Sequence, residues 1–454
     1  MPFFTQGGKN NRSLQKVVLN PMDFAKPYGL RTDLYELTMA QVYLENGKTD
    51  RAVFSLYVRE LPEVRNFLVV GGVGRLIELL GEFRFSKEQL SYLKSLKLFK
   101  DWFLDWLESF RFEGNIYAIP DGRIVFQEEP LVQVEAPLPV AQILETFVMN
   151  IVHLETVLAS KAARIYAVAG GKTLVDFGMR RAHGFEAANT AAKAALACGW
   201  NATSNLEAGM LYNLPVTGTM AHSYVMVFGE EEAFKEFYRH YPQNAVYLID
   251  TYDVMEAAKL VVKLAKEGYK PLGVRIDSGD IPTLVQKVRQ LLDEHGLTDV
   301  KIIVSGGVDE YKIAKWRDLP IDGFGVGTKY ATSADKPYLD IAYKLVEYAG
   351  KPKFKLSPGK KTYPFKKQVF RFYTGGKMDY DFVTLYGEKA EGEPLVELVV
   401  KDGKPLKEIG DWRVARERFL DDFEKLPPRL KGLEKHPYGV QIDARLDPSG
   451  YLKK

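Results

Sequence analysis

Cysteine is nearly absent from this sequence, with Cys198 alone among 454 residues. That excludes an intrachain disulfide and any cysteine-rich zinc knuckle. Histidine is scarce too, and the six residues (His153, His183, His222, His240, His295 and His436) lack the spacing of a zinc site. No charge of one sign dominates. The 62 Lys and Arg face 59 Asp and Glu, a net +3 that argues against a dedicated nucleic-acid binder. No apolar stretch reaches the ~18–20 residues of a membrane span, because the longest, at 67–80, is cut by Gly and Arg. Residues 1–25 hold no apolar segment of signal-peptide length and read as a loose arm. The expectation is a cytoplasmic chain with neither membrane nor nucleic acid as partner.

What is present suits a globular enzyme of two or three domains, with 46% apolar and 27% charged residues. Residues 28–139 read as mixed α/β, with strand character at 52–58 and a helical stretch at 87–110. Alternation at 116–119 and 124–135, around Pro120-Asp121-Gly122, predicts a hairpin. From 145 to 342 the pattern changes to strand–helix units, with apolar runs at 173–177, 216–220, 245–249, 271–276, 301–304 and 321–326. Helical periodicity follows at 253–267 and 281–295. Strand starts from 245 onward lie 26, 30 and 20 residues apart, the spacing of a parallel sheet with crossover helices. Residues 343–454 return to short strands and turns, then a charged helix near 413–425. A doubly wound sheet and a barrel both fit the middle region. The missing dinucleotide-binding glycine fingerprint favours an irregular (β/α) barrel.

Function in such barrels sits at the carboxyl ends of the strands. Here those ends carry Asp250-Thr251-Tyr252-Asp253, then Arg275 and Asp277-Ser278-Gly279-Asp280, then Ser305-Gly306-Gly307-Val308-Asp309, then Gly325-Val326-Gly327-Thr328-Lys329. The two glycine-rich ends resemble a phosphate cradle, with ordinary turn chemistry as the alternative. Asp253 and Asp280 fit helix N-caps equally well. Arg275 and Asp277 are costly to bury alone, so they mark a site or an internal ion pair. Arg180 and Arg181, just past Phe177, suit a carboxylate or phosphate, or a surface ion pair. His222 stands out because small residues precede it at a strand end. The segment 351–371 holds seven Lys and one Arg with no acid, which fits a solvated loop, a nucleic-acid patch or a diphosphate clamp.

Five motifs bring these residues together in one order: Thr32-Asp33-Leu34-Tyr35-Glu36-Leu37-Thr38-Met39, Phe177-Gly178-Met179-Arg180-Arg181-Ala182, Ala202-Thr203-Ser204-Asn205, Gly218-Thr219-Met220-Ala221-His222-Ser223 and Arg275-Ile276-Asp277-Ser278-Gly279-Asp280. The chain thereby resembles the nicotinate phosphoribosyltransferases, from about residue 28 to 430. The resemblance implies an irregular α/β barrel over 141–342 and a second α/β domain built from 26–140 and 343–454. It also implies a homodimer whose active sites are shared across the interface. The implied reaction joins nicotinate to 5-phosphoribosyl 1-diphosphate, coupled to ATP hydrolysis with Mg2+, as the first step of NAD synthesis from nicotinate.

By that resemblance His222 is the phosphorylated histidine, and Asp253 orients its imidazole. Arg275 and Asp277 lie around the ribose and diphosphate. Ser305, Gly306, Gly307, Gly327 and Thr328 form the 5-phosphate cradle. Phe177 and, from the other subunit, Tyr35 sandwich the pyridine ring, while Asp33 and Arg59 cross the interface towards the phosphates. Lys360 and Lys367 match a lysine-rich loop, although Pro364-Phe365-Lys366 stands where many relatives place a glycine after the proline. No residue is assigned as a metal ligand. The related nicotinamide enzyme carries an aspartate where this chain has Ser204, so Ser204 with Arg180 favours an anionic base. The alternatives are a nicotinamide phosphoribosyltransferase and, more remotely, a phosphate-binding barrel aldolase or isomerase.

Overall fold

The computed structural model describes residues 26–357, 361–406 and 410–451. The arm at 1–25 and Lys360 lie outside the described residues. Six parallel strands form the barrel wall in the order Ala202–Thr203, Thr173–Asp176, Gly323–Val326, Lys301–Val304, Gly273–Ile276 and Val246–Leu248. Strands covered by helices on one face and by the barrel interior on the other read as unbroken apolar runs, and Gly323–Val326 is buried along its whole length. The helices Val254–Lys266 and Ile281–Glu294 bury Ala257, Val261 and Leu264, and Val285, Val288 and Leu292, as their periodicity requires.

Residues 216–220 do not form the strand expected of them. Only Val216 bridges, to Thr203, and Pro215 and Gly218 disfavour a longer ladder. The segment instead spans the gap between the two edge strands. At one end Thr217 N–H donates to the Thr203 carbonyl (2.9 Å). At the other, Asn244 Nδ2 donates to the Gly218 carbonyl (2.5 Å), just before Val246–Leu248. A loop, not a ladder, closes the barrel, and that loop leads into His222.

A seven-stranded sheet draws on both terminal segments, in the order Lys351–Pro352, Ile341–Tyr348, Arg51–Val58, Pro130–Pro137, Asn115–Ala118, Glu397–Lys401 and Lys404–Pro405. The expected hairpin is only partly formed. Asn115–Ala118 pairs with Pro130–Pro137, but Ile124–Val125 pairs with Leu68–Val69. The cause is Asp121, whose carboxylate accepts from Val73 and Gly74 N–H (2.8 and 2.9 Å) and draws the turn onto the helix Val73–Leu80.

The basic segment 351–371 is not one exposed loop. Its end belongs to the strand Lys367–Thr374, where Lys367 is buried and Arg371 is fully buried against Asp381 (2.9 and 2.7 Å). The 24-residue helix Glu145–Val168 joins the two cores, with Val148 and Val152 in one and Ala159 and Ala162 in the other. The helix Trp412–Lys425 ties the tail to the barrel, since Arg416 donates to the Leu196 and Trp200 carbonyls at the end of Phe185–Ala197 (2.8 and 2.6 Å). A cation there also complements the helix dipole. Among the described residues no helix is long and apolar enough to cross a membrane.

Candidate active site

The carboxyl ends of the parallel strands converge on one rim. At its centre Arg275 leaves the strand Gly273–Ile276 and reaches back to the closing loop, donating to Thr219 Oγ1 (2.7 Å) and the Met220 carbonyl (2.8 Å). Its Nε is buried without a partner, and no carboxylate lies within ion-pair distance of its guanidinium among the described residues. Burial pulls its pKa down, with Asp277 and Asp250 opposing and Arg180 adding to the shift. The internal ion pair offered by the sequence is therefore absent, which leaves a cation held ready for an anionic guest.

Asp250 lies beside it, and sequence reasoning did not single it out from the run 250–253. Its Oδ2 accepts from Asp277 N–H (3.1 Å) and Ser278 Oγ (2.6 Å), while Oδ1 is buried with no partner. Its position directly after the buried Leu248 and Ile249 was the available signal. Asp277 in turn accepts from Ser305 Oγ (2.5 Å). The next residue, Gly306, has φ +81°, and a Cβ there would overlap the Asp277 carbonyl oxygen, so only glycine fits. Gly307 follows at φ +62°. Gly327 and Thr328 stand on the neighbouring tip, because Lys301–Val304 and Gly323–Val326 pair directly.

His222 opens the helix His222–Phe228 at the end of the same loop that Arg275 grips. Its Nδ1 is 3.1 Å from Thr251 Oγ1, and Nε2 has no partner among the described residues. Asp253 does not orient the ring. Its Oδ1 accepts from Met255 and Glu256 N–H (both 2.9 Å), which makes it the N-cap of Val254–Lys266. Thr251 takes the place assigned to it.

Phe177 follows the strand Thr173–Asp176, and Gly325 leaves the space its ring occupies. The Arg275 guanidinium is 5.9 Å from that ring's centroid. Asp176 fixes the turn by accepting from Gly178 N–H (2.8 Å) and Thr203 Oγ1 (2.7 Å). Arg180 lies exposed in the short turn Met179–Arg181. Ser204 sits half-buried at the adjacent tip, its N–H on the Asp176 carbonyl (2.9 Å).

Four sequence candidates stand apart, making no hydrogen bond or ion pair with these rim residues. Tyr35 is exposed on the helix Leu34–Glu45, and Asp33 accepts from Thr146 Oγ1 (2.7 Å). Arg59 pairs with Asp340 (3.3 Å). Lys367 donates to the Phe365 carbonyl (2.8 Å), and burial lowers its pKa to about 7 against the pull of Glu128 and Glu347. It is not a free loop lysine.

A parallel barrel whose rim gathers a half-buried arginine, two linked aspartates, a histidine and paired glycine turns defines a barrel enzyme built for an anionic substrate. Residues 30–153 match the nicotinate phosphoribosyltransferase (NAPRTase) N-terminal domain, and residues 172–374 match the nicotinate phosphoribosyltransferase (NAPRTase) family. The chain is 43% identical over 420 residues to a nicotinate phosphoribosyltransferase of Mycobacterium tuberculosis, covering 91% of this chain and 90% of that protein. It is 40% identical over 410 residues to the Bacillus subtilis nicotinate phosphoribosyltransferase, covering 87% and 81%. The crystal structure of human nicotinic acid phosphoribosyltransferase superposes with a TM-score of 0.80 at 25% identity, over 93% of this chain and 99% of that one. The chain belongs to the nicotinate phosphoribosyltransferase family.

Proposed function

We propose that this rim couples ATP hydrolysis to the transfer of a 5-phosphoribosyl group from 5-phosphoribosyl 1-diphosphate to nicotinate, through a phosphohistidine at His222. Transfer to nicotinate, a step of NAD salvage, is the activity for which the family is named. The observation that carries the coupling is the imidazole held through Nδ1 by Thr251 with Nε2 unpartnered, on the loop gripped by Arg275.

With Nδ1–H donated to Thr251, the Nε2 lone pair attacks the γ-phosphorus of ATP as the bond to the ADP oxygen breaks. In the transfer, the pyridine nitrogen attacks C1 of the ribose while the C1–O bond breaks and its electron pair leaves on diphosphate. Water later hydrolyses the phosphohistidine. The protein's part is positioning and charge stabilisation. Phe177 offers one face for the pyridine ring. Arg180 pairs with the nicotinate carboxylate, and Ser204 presents no opposing anion. Arg275 and Asp277 flank ribose and diphosphate, and the tips 305–307 and 327–328 hold the 5-phosphate.

The rim also suits Mg2+, an ion that keeps one or two carboxylates together with substrate phosphates. Asp250 offers a buried, unpartnered Oδ1, with Asp277 linked to it. No group of three His, Cys, Asp or Glu among the described residues could hold a metal unaided. When bound, Mg2+ supplies neutralisation of phosphate charge.

A second copy of the chain would complete the site with Tyr35, Asp33 and Arg59. The support is apolar surface left uncovered after the barrel tips, where Leu206, Met210 and Val227 are 75%, 78% and 79% exposed. The test is incubation with γ-labelled ATP, scored for acid-labile label on the protein. Label on the wild type and none on His222→Ala is expected, with slow transfer persisting in the variant at high 5-phosphoribosyl diphosphate. Equal ATP turnover in the two proteins would contradict the coupling.

A further inference from the structure

Behind the exposed Tyr35 and Asp33 lies a cluster that the site described above leaves unexplained. Glu36 is completely buried within it, one turn into the chain's first described helix. Its Oε2 faces Thr32 Oγ1 (2.5 Å), and its Oε1 meets both the N–H (3.0 Å) and the hydroxyl of Thr146. The same Thr146 hydroxyl is 2.7 Å from Asp33 Oδ2. One hydroxyl oxygen thus lies between two carboxyl groups, yet it carries a single proton. If both acids are ionised, that proton serves only one of them, and the other anionic oxygen faces a lone pair. A proton on Glu36 resolves the conflict. Glu36 Oε1–H donates to Thr146 Oγ1, Thr146 O–H donates to Asp33, and Thr32 O–H donates to Glu36 Oε2.

We infer that protonated Glu36 is a positioning residue, which through Thr146 locks Asp33 and the first turn of the helix that presents Tyr35. The inference rests on the proposed role of Tyr35 against nicotinate. Asp33 is free for this duty because its side chain makes no cap bond to its own helix. The surroundings favour the neutral form. Glu145 lies on the adjoining helix, held by Gln142 Nε2 (2.8 Å) and facing Lys344, and Tyr343 packs from the strand Ile341–Tyr348. Tyr35 and Tyr43 face Glu145 from the helix itself. Burial raises Glu36 to about 7, with Glu145 adding to the rise and the Thr146 and Thr32 bonds opposing it. As pH climbs through neutrality Glu36 ionises, competes for the Thr146 proton and releases Asp33.

The experiment measures nicotinate KM and kcat from pH 5.5 to 9 in wild type and Glu36→Gln, whose amide does not ionise. In the wild type KM is expected to rise several-fold between pH 6 and 8 with little change in kcat. In Glu36→Gln it should not change with pH across this range. An inflexion that survives in Glu36→Gln overturns the inference, whereas no nicotinate-dependent turnover at any pH overturns the proposed function instead. A second readout needs no activity. The infrared difference spectrum, wild type minus Glu36→Gln, should show a protonated-carboxyl C=O band at pH 6 that is gone by pH 8, the bands of the other raised carboxyls, Glu128 and Glu129, cancelling. No difference band at pH 6 overturns the inference. If that variant does not fold, Thr146→Val replaces it, with KM at pH 6 expected to equal the wild-type value at pH 8. A pH-6 KM as low as the wild type's would refute the link.

Discussion

Replacing Gly325 with alanine tests whether Phe177 forms one face of the pyridine slot. Gly325 lies inside a fully buried strand, and its backbone raises no conformational objection to alanine. The obstacle is the ring. A Cβ at this position falls 2.5 Å from Phe177 Cδ2 and 3.2 Å from Ser305 Cβ. Carbon–carbon contacts settle at about 3.5–4.0 Å, so the ring has to retreat by about 1 Å. Overpacking of this size costs about 1–3 kcal/mol of stability, which a domain with two large cores should survive. The functional cost is larger, since a 1 Å displacement of a positioning group lowers turnover by up to ~100-fold. Steady-state kinetics with nicotinate and with 5-phosphoribosyl diphosphate, alongside a thermal melt, separate the two effects. The expected outcome is a kcat/KM for nicotinate reduced by about 10–100-fold in a protein that still melts cooperatively. If nicotinate kinetics stay at wild-type values in a folded Gly325→Ala protein, Phe177 does not shape the nicotinate site.

Two further outcomes follow from charge. Ser204→Asp places an anion near the expected nicotinate carboxylate, and two unit charges about 6 Å apart repel by about 3 kcal/mol at an effective dielectric of ~20. Nicotinate KM should therefore rise at least ~10-fold while nicotinamide binding improves, and an unchanged nicotinate KM would remove the selectivity argument. Asp335 reports on acid stability. Burial pushes its carboxyl up, but Arg65 and Lys161 outweigh that and hold it at about 2. A depressed carboxyl stabilises the fold above its unfolded pKa near ~4 and loses that contribution as pH falls through the folded value. The urea midpoint of the wild type should therefore drop between pH 4 and 2, more steeply than that of Asp335→Asn. Parallel acid limbs would show that this ion cluster does not govern the transition.

What the sequence revealed and what it hid divide along the range of the interactions involved. The barrel strands were legible because burial on both faces writes an unbroken apolar run, and the helices because periodicity is local. The two-residue strand Ala202–Thr203 carries no such pattern, and the closing loop at 216–220 carries a misleading one, since their hydrogen bonds run to Pro215 and Asn244, which no local pattern reveals. Asp253 stayed open between cap and site because an acid just before a helix looks the same whether it caps or reacts. Its carboxylate on Met255 and Glu256 N–H decides for the cap over the role the resemblance implied. Lys367 and Arg371 looked like free cations because residues 351–371 contain no acid. Their counter-charges come from distant strand positions, Glu347 and Glu128 for the first and Asp381 for the second. Glu36 was hidden differently. It sat in plain view within a recognised motif, but a motif names residues and cannot count the protons they share. One hydroxyl between two acids is a fact of three dimensions, and it is where this chain's own chemistry departs furthest from what its sequence announces.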